Sequence, residues 1–277
     1  LVAGLVLVGL GFKVAAVPFH MWAPDVYRGS PTSVTAFMAV GAKAGGFAAL
    51  VRVFIVAFPS ISEQIVPVLW AMSALTLVVG NVLAIAQSNV KRMLAYSSIS
   101  HAGFSRMDLV ADGQDAARFD VVAATLFYLL AFALASFGSW AVVMSLEKSE
   151  GRGLDFADYR GLGTKHPVLA LSMAVFMLSF TGVPPTLGFA GKFYVFRAML
   201  EGGYVGLAIV GVLTSLVSAY YYLRVVVTMY MHQGNPTIHS DSGLRITAAA
   251  TALGTVLLFI FSQPLFDWAS RAILQVF

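Results

Sequence analysis

Five long stretches of the chain contain no Asp, Glu, Lys or Arg, and this feature limits the fold most strongly. A helix needs about 20 predominantly apolar residues to cross about 30 Å of hydrocarbon. Each stretch is long enough to do so. The stretches are 66–89, 121–146, 168–191, 202–223 and 246–266. We therefore predict an all-α polytopic membrane protein.

The composition excludes a soluble domain and several kinds of chemistry. Of 277 residues, 59% are hydrophobic and 11% are charged, and the mean hydropathy is +0.84. These values lie outside the range of soluble globular domains. The chain has no cysteine, which excludes a thiolate-ligated iron–sulfur cluster, a structural Cys zinc site and a disulfide. Any redox chemistry therefore takes place on other chains.

Turn-forming residues divide the chain into about eight predicted transmembrane spans. The spans are 1–22, 31–58, 66–86, 91–110, 121–146, 167–200, 203–231 and 244–269. Turn residues at 25–30 and 112–113 mark two of the breaks, and Ser30 before Pro31 predicts an N-cap followed by the first helical residue. We expect one transmembrane domain over 1–277 and no soluble second domain.

The basic loop residues predict the orientation of the chain. Alternating the loops between the two sides collects most of them on one face, which the positive-inside rule makes cytoplasmic. They are Arg28, Lys91, Arg92, Lys148, Arg152, Arg160, Lys165 and Arg245. Because the net charge of +4 sits in loops, it indicates orientation and not a nucleic-acid partner. The first residue is not Met and a span begins at once, so we expect an N-terminal portion to precede this chain.

Four protonatable side chains fall near the middle of predicted spans. Lys13 and Lys43 each lie about 18 Å along their helices, and Lys192 and His101 lie about 15 Å from a helix end. A lysine at this depth costs about 2.5 to 3.5 kcal/mol, so three oppose insertion by roughly 8 to 10 kcal/mol if additive. Burial favours the neutral amine, which can then exchange its proton. The four side chains therefore predict a proton relay.

Each of these residues also has a structural interpretation. A single intramembrane lysine can snorkel to the interface, but three lysines at one depth are too far from it. His101 can instead be a core imidazole bonded to a neighbouring serine. The serines in question are Ser97, Ser98 and Ser100.

Prolines predict that two of the spans are discontinuous near their lysines. Pro18 follows Lys13, and Pro184-Pro185 precedes Lys192. Broken helices at mid-membrane are common in ion and proton pathways, although an ordinary proline kink is the simpler alternative. No carboxylate within the predicted spans can neutralise the lysines, apart from Asp108, which lies toward the outer end of its span. We therefore expect the acidic partner of the lysines on the preceding portion of the protein.

Three motifs resemble a known family. Residues 11–27, GFKVAAVPFHMWAPDVY, with GSPT at 29–32, resemble the signature of the subunit N family of bacterial NADH-quinone oxidoreductase, respiratory complex I. Residues 91–103, KRMLAYSSISHAG, resemble a motif shared by the antiporter-like subunits of that complex. GVPP at 182–185 with GKF at 191–193 again resembles subunit N. The similarity covers essentially the whole chain.

The resemblance implies a fold and a role for each lysine. The family has fourteen helices in two inverted repeats, with helices seven and twelve broken, so this chain corresponds to helices seven to fourteen. Lys13 matches the helix-seven lysine, which pairs with a glutamate of helix five, and Lys43 matches the central lysine of helix eight. Lys192 matches the exit-side lysine of helix twelve, and His101 matches a polar residue of the central hydrated axis.

The resemblance also implies partners, cofactors and location. Quinone reduction elsewhere in the complex drives proton translocation through the lysines. NADH, FMN, iron–sulfur clusters and quinone belong to partner subunits, and this chain holds no cofactor. Its neighbours are other membrane-arm subunits and the lipid bilayer, in the inner membrane of a bacterium rather than an organelle.

Two segments of the sequence depart from the family pattern. Arg28 replaces a usual Glu, and 105–108 brings Arg106 and Asp108 into a normally apolar segment.

A multisubunit cation/proton antiporter is one alternative function, for which an acidic residue at the midplane would be expected. A noncatalytic membrane scaffold is the other, and it would not need three midplane lysines.

Overall fold

The computed structural model describes residues 2–57, 62–110, 117–148, 153–239 and 241–274, and this part of the chain is almost entirely helical. It contains twelve α-helices. They are α1 Val2–Lys13, α2 Trp22–Gly29, α3 Thr32–Phe37 continued through Met38–Ala42, Lys43–Val51 and Arg52–Ala57, α4 Ser62–Ile85, α5 Val90–Val110, α6 Ala117–Leu146, α7 Leu162–Lys165, α8 Pro167–Thr181, α9 Leu187–Glu201, α10 Val205–Met231, α11 Ser242–Ile260 and α12 Ser262–Leu274.

Several helices are long and apolar enough to cross a membrane. Within the described residues five meet this condition, namely Thr32–Phe54 of α3, Gln64–Ile85 of α4, Val121–Leu146 of α6, α10 and α11. Helices α1 and α8 are shorter but also apolar. The prediction of an all-α polytopic membrane protein is confirmed. The side chains of Arg106, Asp108 and Arg152 and the turn predicted at 112–113 lie outside the described residues.

The segment predicted as a turn at 25–30 is mostly the short helix α2, so that prediction was wrong. Pro24 sits in the first turn of α2, where its missing N–H costs no helical hydrogen bond, and Asp25 favours the same turn electrostatically. Ser30 ends α2, because its backbone is extended (φ −82°, ψ 153°) before Pro31, and its N–H makes the last bond of the helix, to the Val26 carbonyl at 2.9 Å. Pro31 therefore occupies the N-cap position of α3 instead of the first helical position.

The predicted single span at 244–269 is also wrong, since two helices occupy it. Helix α11 ends at Ile260, Phe261 leaves helical geometry with φ −99° and ψ 21°, and α12 begins at Ser262. Pro264 explains the break, because a proline ring clashes with the carbonyl four residues earlier, here that of Ile260.

Helix α6 is central to the bundle and packs against α8, α9, α11 and α12. Helices α4 and α5 form a tightly packed hairpin beside it. Two glycines allow this close approach. A Cβ on Gly80 would lie 2.8 Å from the Ser100 nitrogen, and a Cβ on Gly103 would lie 2.8 Å from Leu77 Cγ. Small residues of this kind let membrane helices pack backbone to backbone.

Two buried apolar clusters meet partway along α5 and α6. On α5, residues up to Ile99 belong to one cluster and residues from Ala102 onward belong to the other. On α6 the change falls between Ala131 and Phe132. His101 lies at this junction, so it occupies the boundary between the two apolar clusters.

Candidate functional site

The break between α8 and α9 places Lys192 in the interior. Helix α8 ends at Gly182, whose positive φ of 87° suits glycine. A Cβ at Gly182 would lie 2.8 Å from Lys192 Cδ, and a Cβ at Gly188 would lie 2.0 Å from the Ser179 carbonyl oxygen. The Gly188 N–H donates to Ser179 Oγ at 3.2 Å. The two glycines therefore let the broken ends pass closely beside the lysine.

Lys192 is buried and makes two hydrogen bonds. Its Nζ donates to the Thr181 carbonyl at 2.9 Å and to Ser215 Oγ at 3.0 Å. The same nitrogen lies 4.8 Å from the centre of the Phe104 ring, within range of a cation–π interaction. These contacts hold the Lys192 amine in a defined position at the C-terminal end of α8.

Lys43 lies on α3 directly after the π-helical turn Met38–Ala42, a feature frequent at functional sites. It is 4% exposed. Its Nζ donates to both the carbonyl oxygen and the side-chain hydroxyl of Ser98 on α5. The structure therefore joins the central lysine of α3 directly to α5.

His101 is held between two tyrosines. Its Nδ1 lies 2.5 Å from the Tyr128 hydroxyl on α6, and its Nε2 lies 2.9 Å from the Tyr222 hydroxyl on α10. The Tyr222 hydroxyl also hydrogen-bonds with Ser97 Oγ. The alternative prediction of a ring bonded to a neighbouring serine is wrong, because both ring nitrogens face tyrosine hydroxyls, and Ser97 shares the Tyr222 hydroxyl with the ring. A neutral imidazole donates at one nitrogen and accepts at the other, as a relay requires.

A small cavity connects His101 with Lys192. Both residues line it, together with Tyr128, Ser179 and Gly188. It has about 10 Å³ of space for the centre of a water molecule, close to the minimum that one water needs. Two hydrogen-bonded groups therefore meet at consecutive residues of α5: Lys43 bonds with Ser98, while Ser97 bonds with Tyr222, which bonds with His101. We call these side chains, with Tyr128, the cavity and Lys192, the polar chain.

Lys13 is not part of this chain. It ends α1 and is exposed, and no hydrogen bond or ion pair of its side chain lies within the described part of the structure. Its position is nevertheless close to α3, since a Cβ on Gly46 would lie 3.4 Å from Lys13 Cγ. Gly46 is one turn beyond Lys43. The structure thus brings three of the four predicted residues together and leaves Lys13 on the surface beside them.

The sequence interpretation missed the tyrosines that complete the chain. Tyr222 and Tyr128 join the helices, and Tyr221 donates to Asn81 Oδ1 at 2.8 Å, while Asn81 donates to Ser100 Oγ at 2.7 Å. A signal existed at 220–222, where three consecutive tyrosines fall in mid-span. Tyrosine in membrane proteins otherwise concentrates at the interface.

The chemistry available at the site is proton exchange. It offers amines, hydroxyls and an imidazole. In the residues that the structure describes, no three His, Cys, Asp or Glu side chains gather as metal ligands would. Membrane helices broken at mid-span, with buried lysines joined through hydroxyls, define the class of antiporter-like membrane proteins.

The comparison with known families agrees with this class. Residues 1–218 match the family described as NADH:quinone oxidoreductase/Mrp antiporter, transmembrane, and the chain belongs to that family. NADH-quinone oxidoreductase subunit N of Chloroflexus aggregans is 46% identical over 273 residues, covering 98% of this chain and 55% of the relative. The chain spans about half the length of the curated relatives it matches. The predicted resemblance to subunit N is confirmed.

Two solved structures are similar to the fold. A chain of respiratory complex I from Thermus thermophilus with bound aureothin is 38% identical with a TM-score of 0.82, over 95% of this chain and 57% of that chain. A chain of the Mrp complex from Dietzia sp. DQ12-45-1b has a TM-score of 0.86 at 21% identity, over 97% of this chain and 58% of that chain. The second likeness shows the fold alone.

Proposed function

We propose that this chain is the proton-translocating part of a subunit N of NADH-quinone oxidoreductase and acts as a component of that translocase. Protons move through its buried lysines, hydroxyls and imidazole, coupled to quinone reduction elsewhere in the complex. The observation that carries the proposal is the polar chain from Lys43 to Lys192 at the boundary of two apolar clusters.

Lys43, His101 and Lys192 act in turn in this proposal. Lys43 passes a proton through Ser98 and Ser97 toward Tyr222. His101 takes a proton at one ring nitrogen and releases one at the other, which leaves the neutral imidazole as its other tautomer, and the ring must return to the first tautomer before the next transfer. A water in the cavity beside Tyr128 completes the step to Lys192, which holds the proton before release. Lys13 supplies a second amine near Lys43. This amine forms an ion pair with an acidic side chain elsewhere in the protein.

The proposed membrane topology has about eight crossings in a single domain over 1–277. Two crossings are discontinuous, one at Pro18 after α1 and one at Pro184-Pro185 between α8 and α9. Helices α8 and α9 have 15 residues each, about 22 Å apiece, so neither spans the hydrocarbon well alone. This arrangement is that of an inverted-repeat antiporter-like fold.

The proposed setting is the inner membrane of a bacterium. This setting is supported by the sources of the subunit N relatives, which include Chloroflexus aggregans and Rhodococcus opacus. The partners are other membrane-arm subunits of complex I and the surrounding lipid. NADH, FMN, iron–sulfur clusters and quinone are bound by partner subunits.

The first test uses Lys43→Ala in the full-length protein. Quinone-dependent NADH oxidation and proton pumping are measured in membranes, with assembly followed on a native gel. We expect both activities to fall together while the complex stays assembled. Lys165→Ala, which changes an exposed lysine at the end of α7, is the matched control and should keep both. Unchanged pumping by assembled Lys43→Ala would overturn the proposal in favour of a structural role.

The family name supports a second candidate, a subunit of a multisubunit cation/proton antiporter. The two functions differ in what drives transport. Proton movement that follows quinone reduction supports the oxidoreductase. Proton movement that requires an opposing Na⁺ gradient and no quinone would support the antiporter.

A further inference from the structure

A polar cavity lies between two loops on the face that carries the basic residues. One loop follows α6 and contains the short 3₁₀ helix Phe156–Tyr159, and the other joins α10 to α11. The polar lining of the cavity consists of Lys148, Asp158, Arg160, Asn235 and Thr237. The cavity has about 110 Å³ of space, whereas pockets for drug-sized ligands have roughly 300 to 1,000 Å³. It therefore fits a small polar group and is too small for a nucleotide.

Backbone contacts between the two loops fix the shape of this cavity. A Cβ on Gly234 would lie 2.5 Å from the Arg160 carbonyl oxygen, and a Cβ on Gly161 would lie 2.5 Å from the Gly234 carbonyl oxygen. Gly161 also has a positive φ of 73°, which suits glycine. The His239 N–H donates to the Ser145 carbonyl at 2.8 Å and ties the second loop to the end of α6. The backbone that carries the lining side chains is therefore held in place before any ligand binds.

The side chains that line the cavity leave an excess of positive charge. Lys148 and Arg160 face a single carboxylate, that of Asp158. Oδ2 of this carboxylate accepts a hydrogen bond from the Asp155 N–H at 3.1 Å, and Oδ1 lies 3.8 Å from Lys148 Nζ. In the described part of the chain, the Arg160 side chain makes no hydrogen bond or ion pair. The cavity therefore offers an uncompensated guanidinium beside a loosely paired amine.

Two neutral side chains of the second loop add hydrogen-bond donors. The Asn235 amide carries two N–H groups and the Thr237 hydroxyl carries one O–H. Among the residues that the structure describes, neither side chain has a hydrogen-bond partner. Phosphate oxygens accept from all of these donors, and a guanidinium binds a phosphate group through two parallel hydrogen bonds. The donor set therefore suits one phosphate group.

The position of the cavity relative to the membrane indicates where such a phosphate comes from. Helix α6 is apolar over Val121–Leu146, and Lys148 follows two residues after the end of that span. The cavity thus lies just outside the hydrocarbon, at the level of the lipid headgroups. The positive-inside rule makes this face cytoplasmic, and basic pockets on that side of membrane proteins bind anionic headgroups.

We propose that this cavity binds the phosphate of an anionic phospholipid headgroup. Arg160 and Lys148 neutralise the phosphate charge, and Asn235 and Thr237 donate to its remaining oxygens. Binding joins the loop after α6 to the loop after α10 through the lipid. The proposal goes beyond the proposed function and does not depend on proton transport.

The test measures how well lipid protects Arg160 from chemical modification. The full-length protein is assembled in its complex, purified in detergent and depleted of lipid. Phenylglyoxal, which modifies accessible arginines, is added with phosphatidylglycerol, with phosphatidylcholine or with inorganic phosphate. Mass spectrometry gives the modification rate of Arg160 and, in the same sample, that of Arg245. Arg245 is the internal control, because it is exposed on the same face and does not line the cavity.

We expect phosphatidylglycerol to slow the modification of Arg160 severalfold and to leave Arg245 unchanged. Phosphatidylcholine, which has no net charge, should protect Arg160 much less. Lys148→Gln should raise the phosphatidylglycerol concentration needed for half protection about fivefold, as loss of one cation near an anionic surface does. Lys165→Gln is the matched control variant and should not change that concentration, because Lys165 is exposed outside the cavity.

The remaining outcomes contradict the proposal in distinct ways. Equal protection by inorganic phosphate would overturn the lipid as the source and keep the phosphate site. Equal protection of Arg160 and Arg245 would overturn the site, because lipid would then cover the whole face without preference. Absence of protection by any of the three additions, or full affinity in Lys148→Gln, would overturn it as well.

Discussion

The His101 ring and the Tyr222 hydroxyl are joined at 2.9 Å across the interface of α5 and α10. The same hydroxyl contacts Ser97, so one oxygen connects the lysine side of the chain with the histidine side. An aromatic contact supports this position, since the Tyr222 and Phe180 rings are tilted at 32° with their centres 5.5 Å apart. The connection between Ser97 and His101 depends on the Tyr222 hydroxyl oxygen alone, so removing that oxygen is a direct test of the proposed relay.

Tyr222→Phe removes this hydroxyl and keeps the ring. We expect proton pumping to fall about tenfold or more, because the transfer from Ser97 to His101 loses its intermediate. The measurement is proton uptake against quinone reduction in vesicles. Tyr220→Phe is the matched control, since Tyr220 is two residues away and 61% exposed. Equal pumping by the two variants would remove Tyr222 from the proton path.

Lys192 should be needed for transport but not for stability. Burying an amine costs free energy, so Lys192→Met is expected to unfold at the same temperature as the unmodified protein or a higher one. Pumping should be lost in Lys192→Met and also in Lys192→Arg, because a guanidinium keeps the charge but does not release its proton. Thermal unfolding in detergent and dye-based pumping assays measure the two properties. Normal pumping by Lys192→Arg would mean that only the charge matters.

The broken helix should tolerate no side chain at Gly188. A Cβ there would lie 2.0 Å from the Ser179 carbonyl oxygen, so Gly188→Ala forces the ends of α8 and α9 apart. We expect a loss of stability of about 1 to 3 kcal/mol, typical of overpacking. Gly45→Ala is the control, because a Cβ at Gly45 meets nothing within 4 Å. Denaturant unfolding of the two variants measures the difference, and equal stability would contradict the close approach.

Asn81 should hold the helices together without carrying protons. Its side chain bonds with Leu77, Ser100 and Tyr221. Asn81→Ala leaves buried groups unpaired, at a cost of about 1 to 3 kcal/mol. Tyr221→Phe breaks one of the same bonds, so the combined variant should lose less stability than the two losses added together. Pumping per assembled complex should persist in Asn81→Ala, and its loss would place Asn81 in the path.

The two tyrosines beside His101 are the part of the site that could not be predicted from the sequence. The lysines were found because a charge in an apolar span is costly wherever the helix packs. Tyr222 carries no charge, so burying it costs less than burying a lysine, and its role depends on α10 lying against α5. Lys91 was assigned to a basic loop face by its place in the sequence, but packing buried it against Glu147.

By itself, the sequence determined that the chain is helical, that it crosses a membrane several times, and that lysines lie deep within its spans. These conclusions depend on local hydropathy and on proline chemistry, which act within a few residues. Only the tertiary structure decided that Lys43, His101 and Lys192 lie along one chain while Lys13 remains exposed. Hydrogen bonds between side chains more than a hundred residues apart, such as that of His101 with Tyr222, depend on how the helices pack and not on any local pattern.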